Sequence, residues 1–238
     1  MHLRERLSGA RKPRYIVLTG AGVLGFAVAR SLVEHGHDVV VIDRESAVCD
    51  HVYAELGATV LCGDATDIHV LEEAGVRRAD LVLALMHRDP DNIACALLAR
   101  TLGVARVIAR MRDAEYEASY RAAGVSHLVR ATAVLRNQIL THIEHPKISD
   151  LLSLRGERVH IFSLTVPETA AVVDTDVRAI AAMAGFPRKS LLLGRIPAVG
   201  DGLVILRGGD RLAAGDTILA IADADDLDAL TDVLTRPR

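Results

Sequence analysis

The sequence that decides the fold reads Tyr15-Ile-Val-Leu-Thr-Gly-Ala-Gly-Val-Leu-Gly25, a short apolar run followed by glycines at positions 20, 22 and 25. The apolar run is short and rich in β-branched residues, which predicts a buried parallel strand. In a dinucleotide-binding turn, Gly20 forms the tight turn at the end of the strand, and Gly22 provides space for a pyrophosphate. Gly25 allows the next helix to pack closely against the sheet. The unpaired N–H groups at the start of that helix favour a bound phosphate.

A second apolar run, Asp38-Val-Val-Val-Ile-Asp43, supports this interpretation. It ends in an acid 18 residues after Gly25, where a dinucleotide fold places a carboxylate on the ribose hydroxyls. We therefore predict that Asp43 binds the ribose. The alternative is a glycine at position 25 that only packs the helix and an acid at position 43 that only ends a solvated strand.

The chain that follows alternates strands and helices, which predicts an α/β fold with a Rossmann-like, doubly wound parallel sheet of six strands. The other predicted strands cover 58–61, 80–85, 106–110 and 126–129, and the helices cover 23–35, 46–56, 68–74, 87–102 and 113–123. Right-handed crossovers leave a crevice where the strand order reverses, beside Gly20. The polar turn at 62–67 lies on the same rim, so Asp64 is either an adenine or ribose contact or a helix N-cap.

After the sixth strand the pattern changes. Residues 131–145 predict one more helix with a narrow apolar stripe of Leu135, Ile139 and Ile143, which we expect to pack on another subunit or on the next domain. Strands near 159–164, 191–196, 203–207 and 217–222, with helices near 177–184 and 225–234, then predict a small α+β module.

Composition limits the functional classes. The 238 residues are 50% apolar with a net charge of −3, and they contain no long apolar segment and no apolar N-terminal signal region, so we expect a cytoplasmic protein. The low aromatic content of 3% argues against nucleic-acid binding.

The three cysteines and the N-terminal segment give two further predictions. Cys49, Cys62 and Cys95 lack CxxC spacing, so we expect small buried side chains rather than disulfides or a metal site. The basic segment 1–13 predicts a flexible tail, or a contact with an acidic partner or the inner membrane surface.

Catalytic groups are not evident. No tyrosine has a lysine four residues later, so the Tyr-x-x-x-Lys pair of short-chain dehydrogenases is absent, and the histidines are scattered without a partner motif. These observations predict binding without turnover. The alternative is a small NAD(P)-dependent oxidoreductase in which Arg110 or His87 takes part in the chemistry.

Most of the chain resembles the regulatory subunits of bacterial potassium transport, the Trk/Ktr or TrkA family. The resemblance is carried by residues 20–25, Val41-Ile-Asp43, Gly63-Asp-Ala-Thr66, Asp91-Asn92, Val107-Ile-Ala-Arg110, Gly124, Gly209-Asp-Arg-Leu212 and Gly215-Asp-Thr-Ile-Leu219. It implies an RCK N-terminal (KTN) domain at 14–131, a crossover helix and linker at 132–157, and a small α+β RCK C-terminal (TrkA-C) domain at 158–235.

The resemblance also implies a site and partners. The implied site residues are Gly20, Ala21, Gly22, Val23, Leu24 and Gly25 for the phosphates, Asp43 and Arg44 at the ribose, Gly63, Asp64, Ala65 and Thr66 at the adenine, and Arg110 approaching the phosphates from the fifth strand. The implied ligand is NAD(H) or ADP, ATP or AMP. The implied assembly is a homodimer or an octameric ring at the inner face of the membrane, under a potassium-translocating membrane subunit.

Two positions depart from the family pattern. Members that sense ATP carry an arginine where this chain has Val23, which favours NAD(H), ADP or AMP over a nucleotide with a γ-phosphate. At the position where members of the family carry an acidic residue that positions a metal, this chain has Ala114. The resemblance therefore predicts no metal.

Overall fold

The structure is a computed structural model that describes residues 12–154, 158–200 and 202–238. The chain forms two compact units, which divide after Ala133. Each unit has a hydrophobic core of its own. The predicted basic tail lies outside the described residues except for Lys12 and Pro13.

In the described part of the first unit, six strands alternate with five α-helices. The strands are β1 (Tyr15–Thr19), β2 (Asp38–Asp43), β3 (Thr59–Cys62), β4 (Leu81–Ala84), β5 (Val107–Met111) and β6 (His127–Arg130). The helices are α1 (Val23–Glu34), α2 (Ser46–Leu56), α3 (Ile68–Glu73), α4 (Asp89–Thr101) and α5 (Glu117–Ala122), with 3₁₀ turns at Val76–Arg78 and Ala114–Tyr116. This alternation confirms the predicted α/β fold. The predicted helix over 113–123 is divided into a 3₁₀ turn and α5.

The six strands form one parallel sheet in the order β3-β2-β1-β4-β5-β6. The strand β1 pairs with β2 on one side and with β4 on the other, so the chain turns in opposite directions from β1 and from β4. The carboxyl ends of these two strands therefore border the crevice that is typical of a doubly wound sheet. The predicted switch in strand order is confirmed.

Both faces of this sheet are covered. Along β1, Ile16 and Leu18 pack into one core cluster, whereas Val17 between them packs into the cluster on the opposite face. Neighbouring residues of a strand point to opposite faces, so a strand covered on both sides must be apolar at every position. This requirement explains the uninterrupted apolar runs of the sequence.

The described part of the second unit consists of α6 (Ala131–Glu144), which begins just before the boundary, and an α+β module. The strands are β7 (Ile148–Leu154), β8 (Val159–Thr165), β9 (Ser190–Ile196), β10 (Val204–Ile205) and β11 (Thr217–Asp223), and the helices are α7 (Val177–Ala181) and α8 (Leu227–Thr235). The strands form an antiparallel sheet in the order β10-β9-β11-β8-β7. The predicted apolar face of the last helix is confirmed, since Leu227, Leu230 and Leu234 are buried in the core.

The strand β7 was not predicted, because residues 146–157 were assigned to a linker. It pairs with β8, and its register shifts between Ile148 and Asp150. A bulge of this kind inserts one residue and breaks the strict alternation of apolar and polar positions. The period-2 pattern that marks the other strands is therefore absent from Ile148 to Leu154.

The apolar stripe predicted on α6 is exposed to solvent in the isolated chain. Leu135, Ile139 and Ile143 are 60%, 61% and 69% exposed. A row of exposed aliphatic side chains on one helix face is typical of an interface. Packing of this stripe against another surface remains a prediction.

The three cysteines differ in exposure. Cys49 and Cys95 are buried as predicted, but Cys62 is exposed. The prediction is wrong for Cys62 because this residue is the last of β3 and lies at the rim of the sheet rather than in its core.

Candidate nucleotide-binding site

The glycine turn joins β1 to α1, and its three glycines have different structural roles. Gly20 has a φ of +86°, and a Cβ atom at this position would lie 2.7 Å from the backbone N of Met86. A Cβ atom on Gly25 would lie only 1.8 Å from the carbonyl oxygen of Gly20, whereas one on Gly22 would meet nothing within 4 Å. The fold therefore requires the first and third glycines, and the space above Gly22 is open.

The start of α1 is open to an anion. Gly22 is the N-cap and makes no side-chain capping hydrogen bond, and no acidic residue lies in the first turn. Unpaired N–H groups and the positive end of the helix dipole attract negative charge at such a terminus. Val23 is 95% exposed and Leu24 is 39% exposed, so two apolar side chains border this turn.

Asp43 is held against the glycine turn. One carboxylate oxygen, Oδ2, accepts a hydrogen bond of 2.7 Å from the Ala21 N–H, and Oδ1 accepts one of 3.0 Å from the Glu45 N–H. Each oxygen of a carboxylate can accept more than one hydrogen bond. Asp43 is therefore positioned at the carboxyl end of β2 with acceptor capacity left for hydroxyl groups of a ligand.

The turn after β3 lies beside Asp43. The Gly63 N–H donates to the Asp43 carbonyl at 2.8 Å. Asp64 Oδ1 accepts hydrogen bonds from the N–H and the hydroxyl of Thr66, at 2.8 and 2.7 Å. The Thr66 N–H is the main cause that lowers the pKa of Asp64, and the nearby charge of Arg44 contributes. These contacts bring together the predicted ribose and adenine residues.

The structure excludes one alternative for this turn and buries one of its predicted site residues. Asp64 is not the N-cap of α3, because Asp67 is the cap and accepts from the His69 N–H. Ala65 is 3% exposed and packs in the core, so its methyl group points away from solvent, and its place at the adenine stays a prediction.

Arg110 is connected to the glycine turn through other residues. The side chain of Asn92 accepts from the Met86 N–H at 2.9 Å and donates to the carbonyls of Met86 and Arg110, both at 3.1 Å. Met86 is in turn the residue that limits space at Gly20. The Nε atom of Arg110 is buried without a hydrogen-bond partner in the described structure, so this guanidinium has a donor available.

Two buried polar residues of this rim, Asp89 and Asn92, were not among the predicted site residues. The Asp89 carboxylate is 6% exposed and accepts from the N–H groups of Arg112 and Asp113, both at 3.0 Å. The Tyr120 hydroxyl donates to the same carboxylate at 2.8 Å. Burial first, and then this hydrogen bond, raise the pKa of Tyr120. The polar segment 87–92 was the available signal, although its partners lie far away in sequence.

The Tyr120→Phe substitution is expected to lower the free energy of unfolding of the first unit by about 1.5 kcal/mol. It removes the hydroxyl that bridges Asp89 and the Arg110 carbonyl at 2.8 and 2.9 Å. Urea unfolding followed by the remaining tyrosines measures this loss. Tyr53→Phe is the matched control, since that side chain is 68% exposed. Equal midpoints for the two variants would contradict a structural role of the hydroxyl.

His87 lies at the same rim, where the Arg112 guanidinium contacts its Nε2 at 2.9 Å. Within the described residues, no three side chains of His, Cys, Asp or Glu are grouped as metal ligands. Among these residues too, no helix is both long enough and apolar enough to cross a bilayer.

Comparison with known sequences gives one family. The TrkA-N domain family matches residues 16–131. A Trk system potassium uptake protein TrkA homolog of Methanothermobacter thermautotrophicus is 30% identical over 158 residues, which cover 66% of this chain and 73% of the relative. The Trk system potassium uptake protein TrkA of Mycobacterium tuberculosis is 28% identical over 211 residues, covering 87% and 92% of the two chains.

Some relatives are longer than this chain. A TrkA homolog of Archaeoglobus fulgidus is 28% identical over 235 residues, and the match covers 96% of this chain but 51% of the relative. The chain thus spans about half the length of such relatives.

Solved structures share the fold. The GsuK RCK domain has a TM-score of 0.63 at 19% identity, covering 95% of this chain and 48% of that one. The GsuK channel bound to NAD has a TM-score of 0.63 at 18% identity, covering 99% and 43%. GsuK bound to ADP has a TM-score of 0.50 at 24% identity, covering 58% and 36%.

Proposed function

Because the chain belongs to the TrkA family, we propose that it is the nucleotide-binding regulatory subunit of a potassium transport system. The observation that carries the proposal is the open glycine turn with Asp43 fixed beside it by the Ala21 N–H at 2.7 Å. Phosphates bind over the turn at the start of α1, the ribose hydroxyls bind Asp43, and the base lies against the turn of Gly63 and Asp64.

The proposed ligand is NAD(H), ADP or AMP, with ATP as a weaker alternative. GsuK, which shares the fold, has been solved with NAD and with ADP. The side chain at the outer side of the turn is the exposed and apolar Val23, which offers no positive charge to a γ-phosphate. The Nε atom of Arg110, which lacks a partner in the described structure, is the donor proposed for the pyrophosphate.

The proposed mechanism is a population shift. A nucleotide that binds two shapes of the assembly with different affinities changes the balance between them, and the membrane subunit responds to that balance. A tenfold preference supplies about 1.4 kcal/mol per site. A homodimer or an octameric ring at the inner face of the membrane adds the contributions of its sites, and about four sites supply the roughly 5.5 kcal/mol that moves a two-state equilibrium from 1:99 to 99:1.

The proposal is tested by calorimetric titration of the purified chain with NADH, NAD, ADP and ATP. We expect NAD(H) or ADP to bind more tightly than ATP. Binding of none of the four would contradict the proposed site. An ATP preference would contradict the role assigned to Val23.

Two further assays test the regulatory function itself. If transport through the reconstituted membrane complex did not respond to the bound nucleotide, the regulatory function would be excluded. Oxidation of NADH with carbonyl substrates would indicate an oxidoreductase.

The Gly22→Ala substitution is expected to weaken nucleotide binding about tenfold without changing stability. A methyl group at Gly22 meets no protein atom within 4 Å, but it occupies the space that the pyrophosphate requires. The measurement is a titration beside a thermal unfolding curve. Wild-type affinity in a normally folded Gly22→Ala variant would show that the phosphates do not approach this turn.

The Ile139→Asp substitution is expected to raise the dissociation constant of the proposed homodimer about tenfold, because it buries an unpaired charge in the interface. The exposed stripe on α6, with Ile139 at 61% exposure, is the surface proposed for this contact. Sedimentation equilibrium measures the change, and Gln138→Asp on the same helix is the control. A dimer that is equally stable in both variants would place the interface elsewhere.

A further inference from the structure

Cys49 and Cys62 lie far apart in sequence but meet at the ribose end of the proposed site. Cys49 is in the first turn region of α2, and its Sγ donates to the Asp43 carbonyl at 3.3 Å. Cys62 ends β3, where it pairs with Asp43 across the sheet, and its Sγ donates to the Arg44 carbonyl at 4.0 Å. The carbonyl oxygens of two adjacent residues, Asp43 and Arg44, thus accept hydrogen bonds from the two thiols.

Both thiols therefore lie against the main chain of the Asp43–Arg44 turn. They differ in accessibility, since Cys49 is buried and Cys62 is exposed. Burial first, and then the neighbouring Cys62 thiol, raise the pKa of the Cys49 thiol to about 12. Cys62 is therefore the group that reagents in solution reach, and Cys49 is the group behind it.

We propose that Cys49 and Cys62 form a reversible disulfide that modifies the nucleotide site. The oxidant is a small disulfide. The Cys62 thiolate attacks one of its sulfur atoms, which gives a mixed disulfide and releases one small thiol. The Cys49 sulfur, after losing its proton to solvent, attacks Cys62 Sγ and releases the second small thiol. Two cysteine thiols are oxidised to one disulfide, and the small disulfide is reduced to two thiols.

The disulfide changes the surroundings of Asp43. Its formation removes the Cys49 Sγ–H that donates to the Asp43 carbonyl, and it links the end of β3 to the start of α2 on either side of the Asp43–Arg44 turn. We expect nucleotide affinity to fall about fivefold, as for the loss of one positioning hydrogen bond. This effect on affinity rests on the proposed function, whereas formation of the disulfide does not.

The experiment treats the full reduced chain with oxidised glutathione, blocks remaining thiols with iodoacetamide, and maps the peptides by mass spectrometry. Trypsin leaves both cysteines in one peptide, residues 45–77, and places Cys95 in another. The expected result is a 45–77 peptide that has lost two hydrogens and carries no carbamidomethyl group. Chymotrypsin, which can cut at Tyr53, then yields two fragments that remain linked until dithiothreitol is added.

The control variants are Cys62→Ser, which must abolish the mass change, and Cys95→Ala, which must leave it intact. Cys62 is exposed, so its serine variant retains the packing of the core. Alkylation of both thiols after the treatment, or a stable glutathione adduct on Cys62 beside a free Cys49, would overturn the proposal. A disulfide that forms but leaves nucleotide affinity unchanged would overturn its effect on the site. Because the peptide masses require no nucleotide, the chemical result is independent of whether the reduced chain binds one.

Discussion

Replacing Gly25 by alanine is expected to lower the free energy of unfolding of the first unit by about 3 kcal/mol. The added methyl group would lie 1.8 Å from the carbonyl oxygen of Gly20 and 2.9 Å from its carbonyl carbon. Both are backbone atoms, so no side-chain rotation relieves the overlap. The glycine turn or the first turn of α1 must move, which disturbs the packing of the helix on β1.

Tyrosine fluorescence during urea unfolding measures this effect selectively. The four tyrosines, at positions 15, 53, 116 and 120, all belong to the first unit, and the chain contains no tryptophan. Gly22→Ala is the matched control from the same turn, because its methyl group meets no protein atom. A Gly25→Ala variant as stable as this control would show that the close contact between the helix start and the strand end is not required.

The Asp43→Ala substitution is expected to weaken nucleotide binding between about 10-fold and 100-fold. The carboxylate provides charge-assisted hydrogen bonds to ribose hydroxyls, and such bonds contribute roughly 1.5 to 3 kcal/mol. The substitution also removes the acceptor of the Ala21 N–H at 2.7 Å, so part of the loss arises from a less ordered turn. Calorimetric titration with the nucleotide that the wild-type chain binds gives the total.

Two further variants separate these contributions. Asp43→Asn keeps an oxygen for the Ala21 N–H but loses the charge, so an affinity close to that of Asp43→Ala would assign the loss to the ribose contact. Asp38→Ala, at the exposed opposite end of β2, is expected to bind as the wild type does. Wild-type affinity in the folded Asp43→Ala variant would remove Asp43 from the site.

The sequence predicts the first unit well because its signals are local. A strand covered on both faces is apolar throughout, and a glycine is required where the backbone itself leaves no space, as at Gly25. The strand β7 could not be predicted in the same way. Its bulge removes the alternation, and only pairing with β8 makes it a strand.

In the candidate site too, features with a local sequence signal could be predicted, whereas features that depend on long-range pairing could not. The glycine turn and Asp43 were predicted from spacing, and the structure places them in hydrogen-bond contact. The burial of the Ala65 side chain and the contacts of Asn92 depend on which strand ends become neighbours in the sheet, and spacing along the chain contains little of that information. The proximity of Cys49 and Cys62 is hidden for the same reason.

Asn92 holds the rim through main-chain atoms alone: it contacts the N–H and carbonyl of Met86 and the carbonyl of Arg110. None of these contacts depends on which side chain occupies position 86 or 110. The contacts of Asn92 therefore leave the side chain at position 110 open to substitution, and a different residue there can alter the ligand charge that the crevice accepts while the strand ends keep their spacing. Asn92 itself has no such freedom, because only its amide combines one acceptor and two donors at this point.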